Sequence, residues 1–182
     1  DLDLLRRLGR ILRDGEWQVT AVVEDGPVEA RLIDLRPGHV AEDAPLWGAA
    51  IDIGTTTVTL WLVDLLTGRV AAQVAEYNGQ IARGEDVISR IIYASKGKGA
   101  EKGKGLAELQ GLVIGTLNRL LDQVAAQVGI VPQEIYRAVV AGNSTMMHLF
   151  AGLQPEPIRL MPFVTTINHL PTLRAVELGL NL

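Results

Sequence analysis

Apolar and polar residues alternate strictly on both sides of one Gly-Thr bend. Before it, Ala49, Ile51 and Ile53 alternate with Ala50 and Asp52; after it, Val58, Leu60 and Leu62 alternate with Thr59 and Trp61. This period of two predicts strand, tight turn, strand, with the turn exposed at one end of a sheet. Thr67-Gly68 marks a second turn and residues 69–77 a third strand, so the three make an antiparallel meander. Asn78-Gly79-Gln80 breaks the pattern, and residues 86–95 carry Val87, Ile88, Ile91 and Ile92 at helical spacing. Leu109, Leu112, Val113, Leu117, Leu120, Leu121, Val124 and Val128 form a long stripe that predicts a core helix over 106–128. Pro132 separates it from a predicted short buried strand at 135–141. Gly142-Asn143-Ser144-Thr145 then leads into a predicted helix at 146–151. Beyond Gly152, Pro155, Pro157, Pro162 and Pro171 predict a loop-rich region expected to await partners past Leu182.

Ahead of the meander, Asp3 is expected to cap a short helix whose Leu4, Leu5, Leu8, Ile11 and Leu12 share a face. Arg6, Arg7, Arg10 and Arg13 read as its solvated side. Strands are predicted at 18–23 and 29–33 about Asp25-Gly26-Pro27, and Pro37, Gly38 and Pro45 suggest a linker over 36–45. The expected organisation is a small α+β piece over 1–45 followed by an α/β unit over 46–182.

Composition narrows the function. A net charge of −4 gives no electrostatic case for nucleic acid, and 4% aromatic residues weakens any base-stacking platform. No apolar run is long enough to span a bilayer. There is no cysteine, so disulfides, thiolate zinc sites and cysteine-ligated clusters have no ligands in this sequence. Its absence fits a cytoplasmic protein. The start at Asp1 and the apolar end at Leu182 suggest a piece of a longer chain.

The bend is the main candidate for chemistry. Gly54 permits a backbone approach that a side chain would block. The N–H groups and hydroxyls of Thr55, Thr56 and Thr57 can ring phosphate oxygens with donors. Asp52, at the end of the entering strand, can hold hydrated magnesium, which prefers oxygen ligands and keeps much of its water. A plain hairpin with β-favouring threonines would produce the same pattern. The second candidate is Gly142, Asn143, Ser144 and Thr145, where a strand passes to a helix. It suits an anion or a domain contact, or simple N-capping by Asn143 or Ser144. The Gly/Lys tract at 96–105 fails the P-loop spacing, since Lys102 and Lys104 stand five residues after Gly97 and Gly99, where the motif requires glycine.

Meander, helix, strand, Gly-polar loop and helix, in that order, resemble half of a ribonuclease-H-like sheet. The actin, sugar-kinase and heat-shock-chaperone ATPases share this unit. More closely, three stretches resemble the reductive activators of corrinoid-dependent methyltransferases. They are Ile51-Asp52-Ile53-Gly54-Thr55-Thr56-Thr57, Arg83-Gly84-Glu85-Asp86-Val87-Ile88-Ser89-Arg90-Ile91, and Val140-Ala141-Gly142-Asn143-Ser144-Thr145-Met146-Met147-His148-Leu149. The resemblance implies that residues 1–45 end a small middle domain and that 46–182 are the first half of an actin-like ATPase domain. It further implies MgATP, a 2Fe–2S cluster in a domain outside this chain, a corrinoid protein partner reduced from Co(II) to Co(I), and a homodimer. It implies that Asp52 takes the magnesium-water position and that the Gly54 to Thr57 turn touches the nucleotide phosphates. A second phosphate motif and a Gly-Gly adenosine motif are missing, which implies one wall of a cleft and no ATP hydrolysis by this chain alone.

Asn78, Gln80, Asp86 and Arg90 are weaker candidates, Asp86 and Arg90 reading first as an i, i+4 helix salt bridge. His39, His148 and His169 show no metal-ligand spacing, and His148 reads as a packed helix residue. A small-metabolite kinase is an alternative, although neither Asp64 nor Asp122 is a convincing general base. A non-catalytic interaction module is another, resting on exposed sheet edges and the apolar C-terminal end.

Overall fold

Strict alternation builds the sheet at the centre of the second of two units. The computed structural model describes residues 2–26, 29–96 and 103–182, Asp3 by its backbone only. By internal contacts the chain divides into Asp1–Pro45 and Leu46–Leu182.

In the first unit, helix α1 (Leu2–Asp14) accompanies an antiparallel hairpin of β1 (Val19–Asp25) and β2 (Ala30–Pro37), bulged between Val22 and Val23. Leu4, Ile11 and Val22 are buried, while Arg6, Arg7, Arg10 and Arg13 stay exposed as expected of a solvated face. The helix begins at Leu2, so Asp3 lies inside its first turn instead of capping it. Both strands run further than the sequence predicts, and Pro27 of the expected turn lies outside the described residues.

In the second unit, β3 (Trp47–Ile53), β4 (Thr57–Asp64) and β5 (Val70–Tyr77) form the antiparallel meander. Strand β6 (Ile135–Gly142) adds parallel to β3 on its free side, giving the order β5-β4-β3-β6. Helix α3 (Lys104–Val128) covers one face of this sheet. Ala49, Ile51, Ile53, Val58, Leu60, Leu62 and Val74 meet Leu109, Val113, Leu117, Leu120, Leu121 and Val124 there. Each fully buried leucine contributes about 1.5–3 kcal/mol of transfer free energy, so this stripe holds the unit together. The other face carries the alternate residues, among them Ala50, Asp52, Thr59 and Trp61.

Between β5 and α3 the chain makes a 3-10 turn (Gly79–Arg83) and helix α2 (Val87–Ala94). After β6 come α4 (Ser144–Phe150), α5 (Glu156–Arg159) and α6 (Ala175–Leu178). Three expectations change. Strand β6 is not fully buried: its exposure alternates, with Val139 66% exposed, because it lies at the sheet edge. The C-terminal stretch does not stand open. Leu180 is buried in the core, and Asn118 of α3 bonds the backbone at Gly179 and Asn181. The Gly/Lys loop falls mainly on 97–102, outside the described residues, and α3 already begins at Lys104.

Candidate functional site

The register places both candidate motifs at one end of the sheet. Ile53, the last residue of β3, pairs with Val58 on one side and Gly142 on the other. The bend after β3 and the loop after β6 therefore emerge side by side. Asn143 bridges them: its Nδ2 donates to Thr55 Oγ1 at 3.3 Å, while its Oδ1 accepts the Met146 N–H at 3.0 Å and caps α4. Proximity requires glycine at 54 and favours it at 142. A Cβ on Gly54 would stand 2.5 Å from the Thr57 carbonyl oxygen, and one on Gly142 3.0 Å from that of Ile53.

The bend is open. Thr56 and Thr57 are exposed and Gly54 and Thr55 half-buried. Asp52 is exposed on the sheet face turned away from α3, level with Thr59 and Ala141. Gly142, Asn143 and Ser144 are exposed, but the side chain of Thr145 is buried, so it can serve a ligand only through its backbone. Helix α4 has seven residues, too few for a strong dipole, so capping by Asn143 accounts for most of that loop's geometry.

Beneath the bend lies a buried polar network that the sequence reading ranked low. Asn78 donates from Nδ2 to the Gly54 carbonyl at 2.9 Å and from its backbone to the Thr56 carbonyl at 2.8 Å, and accepts the Gln80 N–H at 3.0 Å. Gln80 donates to the Leu109 carbonyl at 2.9 Å, and Arg90 reaches the Thr55 carbonyl at 2.6 Å. Three successive carbonyls, of Gly54, Thr55 and Thr56, thus face inward. A trans peptide is planar with its C=O and the next N–H opposed, so the N–H groups of Thr55, Thr56 and Thr57 turn away from Asn78 and Arg90. None of the hydrogen bonds found among the described residues uses the N–H of Thr55 or Thr56. Two outward donors, flanked by threonine hydroxyls and a carboxylate, are what a hydrated magnesium phosphate needs.

The expected Asp86–Arg90 salt bridge does not form. Asp86 is the N-cap of α2, accepting the Ser89 N–H at 2.8 Å in a capping box. That bond holds its carboxyl below the usual aspartate range. Arg90 turns inward instead. Desolvation lowers its pKa, opposed by the more distant Asp86 charge.

A cleft of about 360 Å³ adjoins the site, lined by Gly142, Ser144, His148, Asn168 and His169 among others. His148 is buried with both ring nitrogens engaged, Nδ1 with the Ser144 carbonyl at 2.6 Å and Nε2 with the Thr166 N–H at 3.0 Å. It therefore offers the cleft no free nitrogen and packs as a helix residue. No group of three His, Asp or Glu side chains placed to hold a metal occurs among the described residues. Among the described residues, no helix is long and apolar enough to cross a membrane.

Comparison with known proteins adds a family. The model of the RACo linker region matches residues 1–42, and that of the RACo middle region matches 47–182. The two matches leave only residues 43–46 between them. The corrinoid activation enzyme RamQ of Eubacterium limosum is 40% identical over 134 residues, 74% of this chain and 22% of that protein. A solved reductive activator for corrinoid,iron-sulfur protein is similar over 99% of this chain and 28% of its own, with 38% identity and a TM-score of 0.80. The chain therefore spans less than a third of either relative. Matched in order by two regions of one family and covered by them almost throughout, the chain belongs to the RACo family.

Proposed function

We propose that this chain supplies one wall of the nucleotide site of an ATP-dependent reductive activator. The full-length protein, cytoplasmic and homodimeric, returns a Co(II) corrinoid protein to Co(I). Residues 46–182 are the first half of an actin-like, ribonuclease-H-like ATPase domain, and residues 1–45 close the small domain before it. The observation that carries the reading is the meeting of Asn143 with Thr55 beside the exposed Asp52. Support for the fold comes from the meander with β6 parallel to β3. Support for the corrinoid partner comes from the names of the two relatives.

The residues fit MgATP. Gly54 allows the bend, Thr55, Thr56 and Thr57 present N–H and hydroxyl donors to phosphate oxygens, and Gly142, Asn143 and Ser144 flank them. Thr145 adds only backbone. Asp52 would hold magnesium through water. Bound magnesium neutralises charge between phosphates, and phosphoryl transfer depends mainly on such positioning and neutralisation. The corrinoid step takes up one electron, Co(II) becoming Co(I). That electron would come from a 2Fe–2S domain elsewhere in the full-length protein, because no cysteine here can ligate a cluster.

A metabolite kinase is less well supported. Asp64 is engaged by Thr67 and the Leu66 N–H, and Asp122 sits exposed on α3, so neither is aimed at a substrate hydroxyl. The apolar C-terminal end that would favour a docking module is packed against the core.

The test mixes full-length protein with Co(II) corrinoid protein and an electron donor, with and without MgATP, and follows Co(I) by its absorbance. Reduction is expected only with MgATP and should fall on the order of 100-fold or more in Asp52→Ala, the scale of losing one preorganised electrostatic group. Unchanged ATP-dependent reduction in that variant defeats the assignment of Asp52. Phosphorylation of a small acid or sugar in place of reduction would establish the kinase.

A further inference from the structure

Arg90 is fully buried yet meets no carboxylate. Its Nε donates to the Gly84 carbonyl at 2.8 Å, Nη1 to Gln80 Oε1 at 3.1 Å and Met146 Sδ at 3.2 Å, and Nη2 to the Thr55 carbonyl at 2.6 Å. Every acceptor is neutral. The 3-10 turn contributes Gln80, the bend Thr55, α4 Met146 and the loop before α2 Gly84, none of them ionisable. Among the described residues, the charge that acts on it is Asp86 at the start of its own helix, a carboxylate engaged in capping that helix.

A buried charge without an opposite partner is costly, and most titratable groups escape by neutralising. A guanidinium cannot, because it keeps its proton throughout the accessible pH range. The fold therefore retains a permanent positive charge, and one peptide separates it from the open side of the bend. That peptide, Thr55–Thr56, has its carbonyl oxygen on the guanidinium and so its N–H facing the other way. The arginine thus fixes the peptide's orientation and adds its own potential along the same direction. A lysine could supply the charge but not the fork that ties four acceptors together.

We propose that Arg90 is the fixed counter-charge of the Gly54–Thr57 bend, a positioning residue that holds the Thr56 N–H outward and lends positive potential to a polyphosphate bound there. The inference rests on the phosphate role proposed above. It concerns recognition of the anion's charge, and it assigns Arg90 no contact with the ligand.

The experiment compares full-length wild type, Arg90→Met and Arg90→Lys. Calorimetry measures binding of MgATP, MgADP and adenosine from neutral to alkaline pH. Arg90→Met keeps volume and removes charge, so MgATP affinity should fall on the order of 10- to 100-fold, MgADP less, and adenosine not at all. Arg90→Lys, which keeps charge without the fork, should lie between wild type and Arg90→Met at neutral pH and weaken further as pH rises, since a buried amine sheds its proton early. Wild type should show no such dependence. A lysine variant as weak as the methionine one at every pH would make Arg90 a geometric tie only and overturn the proposal. So would wild-type affinity in Arg90→Met. If Arg90→Met does not fold, the lysine profile decides alone, and a flat profile overturns the idea. Wild type that binds neither nucleotide overturns the phosphate reading and this inference together; wild-type binding with a flat lysine profile overturns this inference only.

Discussion

Asn78 satisfies four groups around a single bend, and that concentration makes it testable. Its side chain holds the Gly54 carbonyl and the Gln80 N–H, and its backbone N–H holds the Thr56 carbonyl and its carbonyl the Ile81 N–H. Asn78→Leu keeps approximate volume but leaves the first two buried groups unpaired. Each such group costs about 1–3 kcal/mol, so urea denaturation should show a loss of that order or somewhat more. Asp52→Ala, changing an exposed side chain, should stay within about 0.5 kcal/mol of wild type in the same measurement. Comparable destabilisation in both would mean that Asp52 is structural. The upper half of this site is legible in the sequence, because Asp52, Gly54 and the threonines are contiguous. The lower half is not. Asn78 and Arg90 reach the bend from 24 and 35 positions away, and a local pattern carries no sign of such a return. Arg90 misleads outright: its spacing from Asp86 suggests a surface pair, whereas the need to satisfy the inward carbonyl of Thr55 draws it into the core.

Elements are legible in the sequence where one face alone is buried. Strands β3 and β4 bury alternate residues against α3, and the helix repeats its apolar stripe at helical spacing, so both follow directly from periodicity. Strand β6 was harder, since Ala138, Val139, Val140 and Ala141 are apolar on both faces while only one packs. The β4–β5 turn shows how an element is fastened by a single polar residue. Asp64 Oδ2 accepts from Thr67 Oγ1 at 2.6 Å, and Oδ1 accepts the N–H groups of Leu66 at 3.1 Å and Leu46 at 3.4 Å. Chiefly through Thr67, these bonds lower the Asp64 pKa from 3.8. A depressed folded-state pKa contributes stability above the unfolded value and loses it as pH falls through the folded one. Stability should therefore decline below pH 3.8 in the wild type, and the Thr67→Val variant should show a shallower decline. Asp86 is lowered as well, through the Ser89 N–H, so some acid dependence must survive the substitution. Identical acid limbs for wild type and Thr67→Val would remove Asp64 as a contributor.

For the molecule as a whole, the decisive property of the site is its openness. A bound nucleotide is normally enclosed over most of its surface by convergent walls. Here the donors sit on an exposed bend at one end of a sheet, and the adjoining cleft lies to the β6 side, lined by residues of the 167–170 segment. The N–H groups of Thr55 and Thr56 can orient phosphates, but among the described residues the bend stands exposed, with no second wall over it for a base or a ribose. Preorganisation and enclosure contribute separately to affinity, and on the nucleotide reading proposed above this chain provides the first. The prediction is that residues 1–182 by themselves bind MgATP at least about tenfold more weakly than the full-length protein, a difference of roughly 1.4 kcal/mol. Tripolyphosphate, which needs only the donors, should lose much less between the two forms. Calorimetry on both proteins with both ligands separates the contributions. Equal MgATP affinity in the two would mean that this chain already holds a complete nucleotide site, and that the bend is not one wall of a larger cleft.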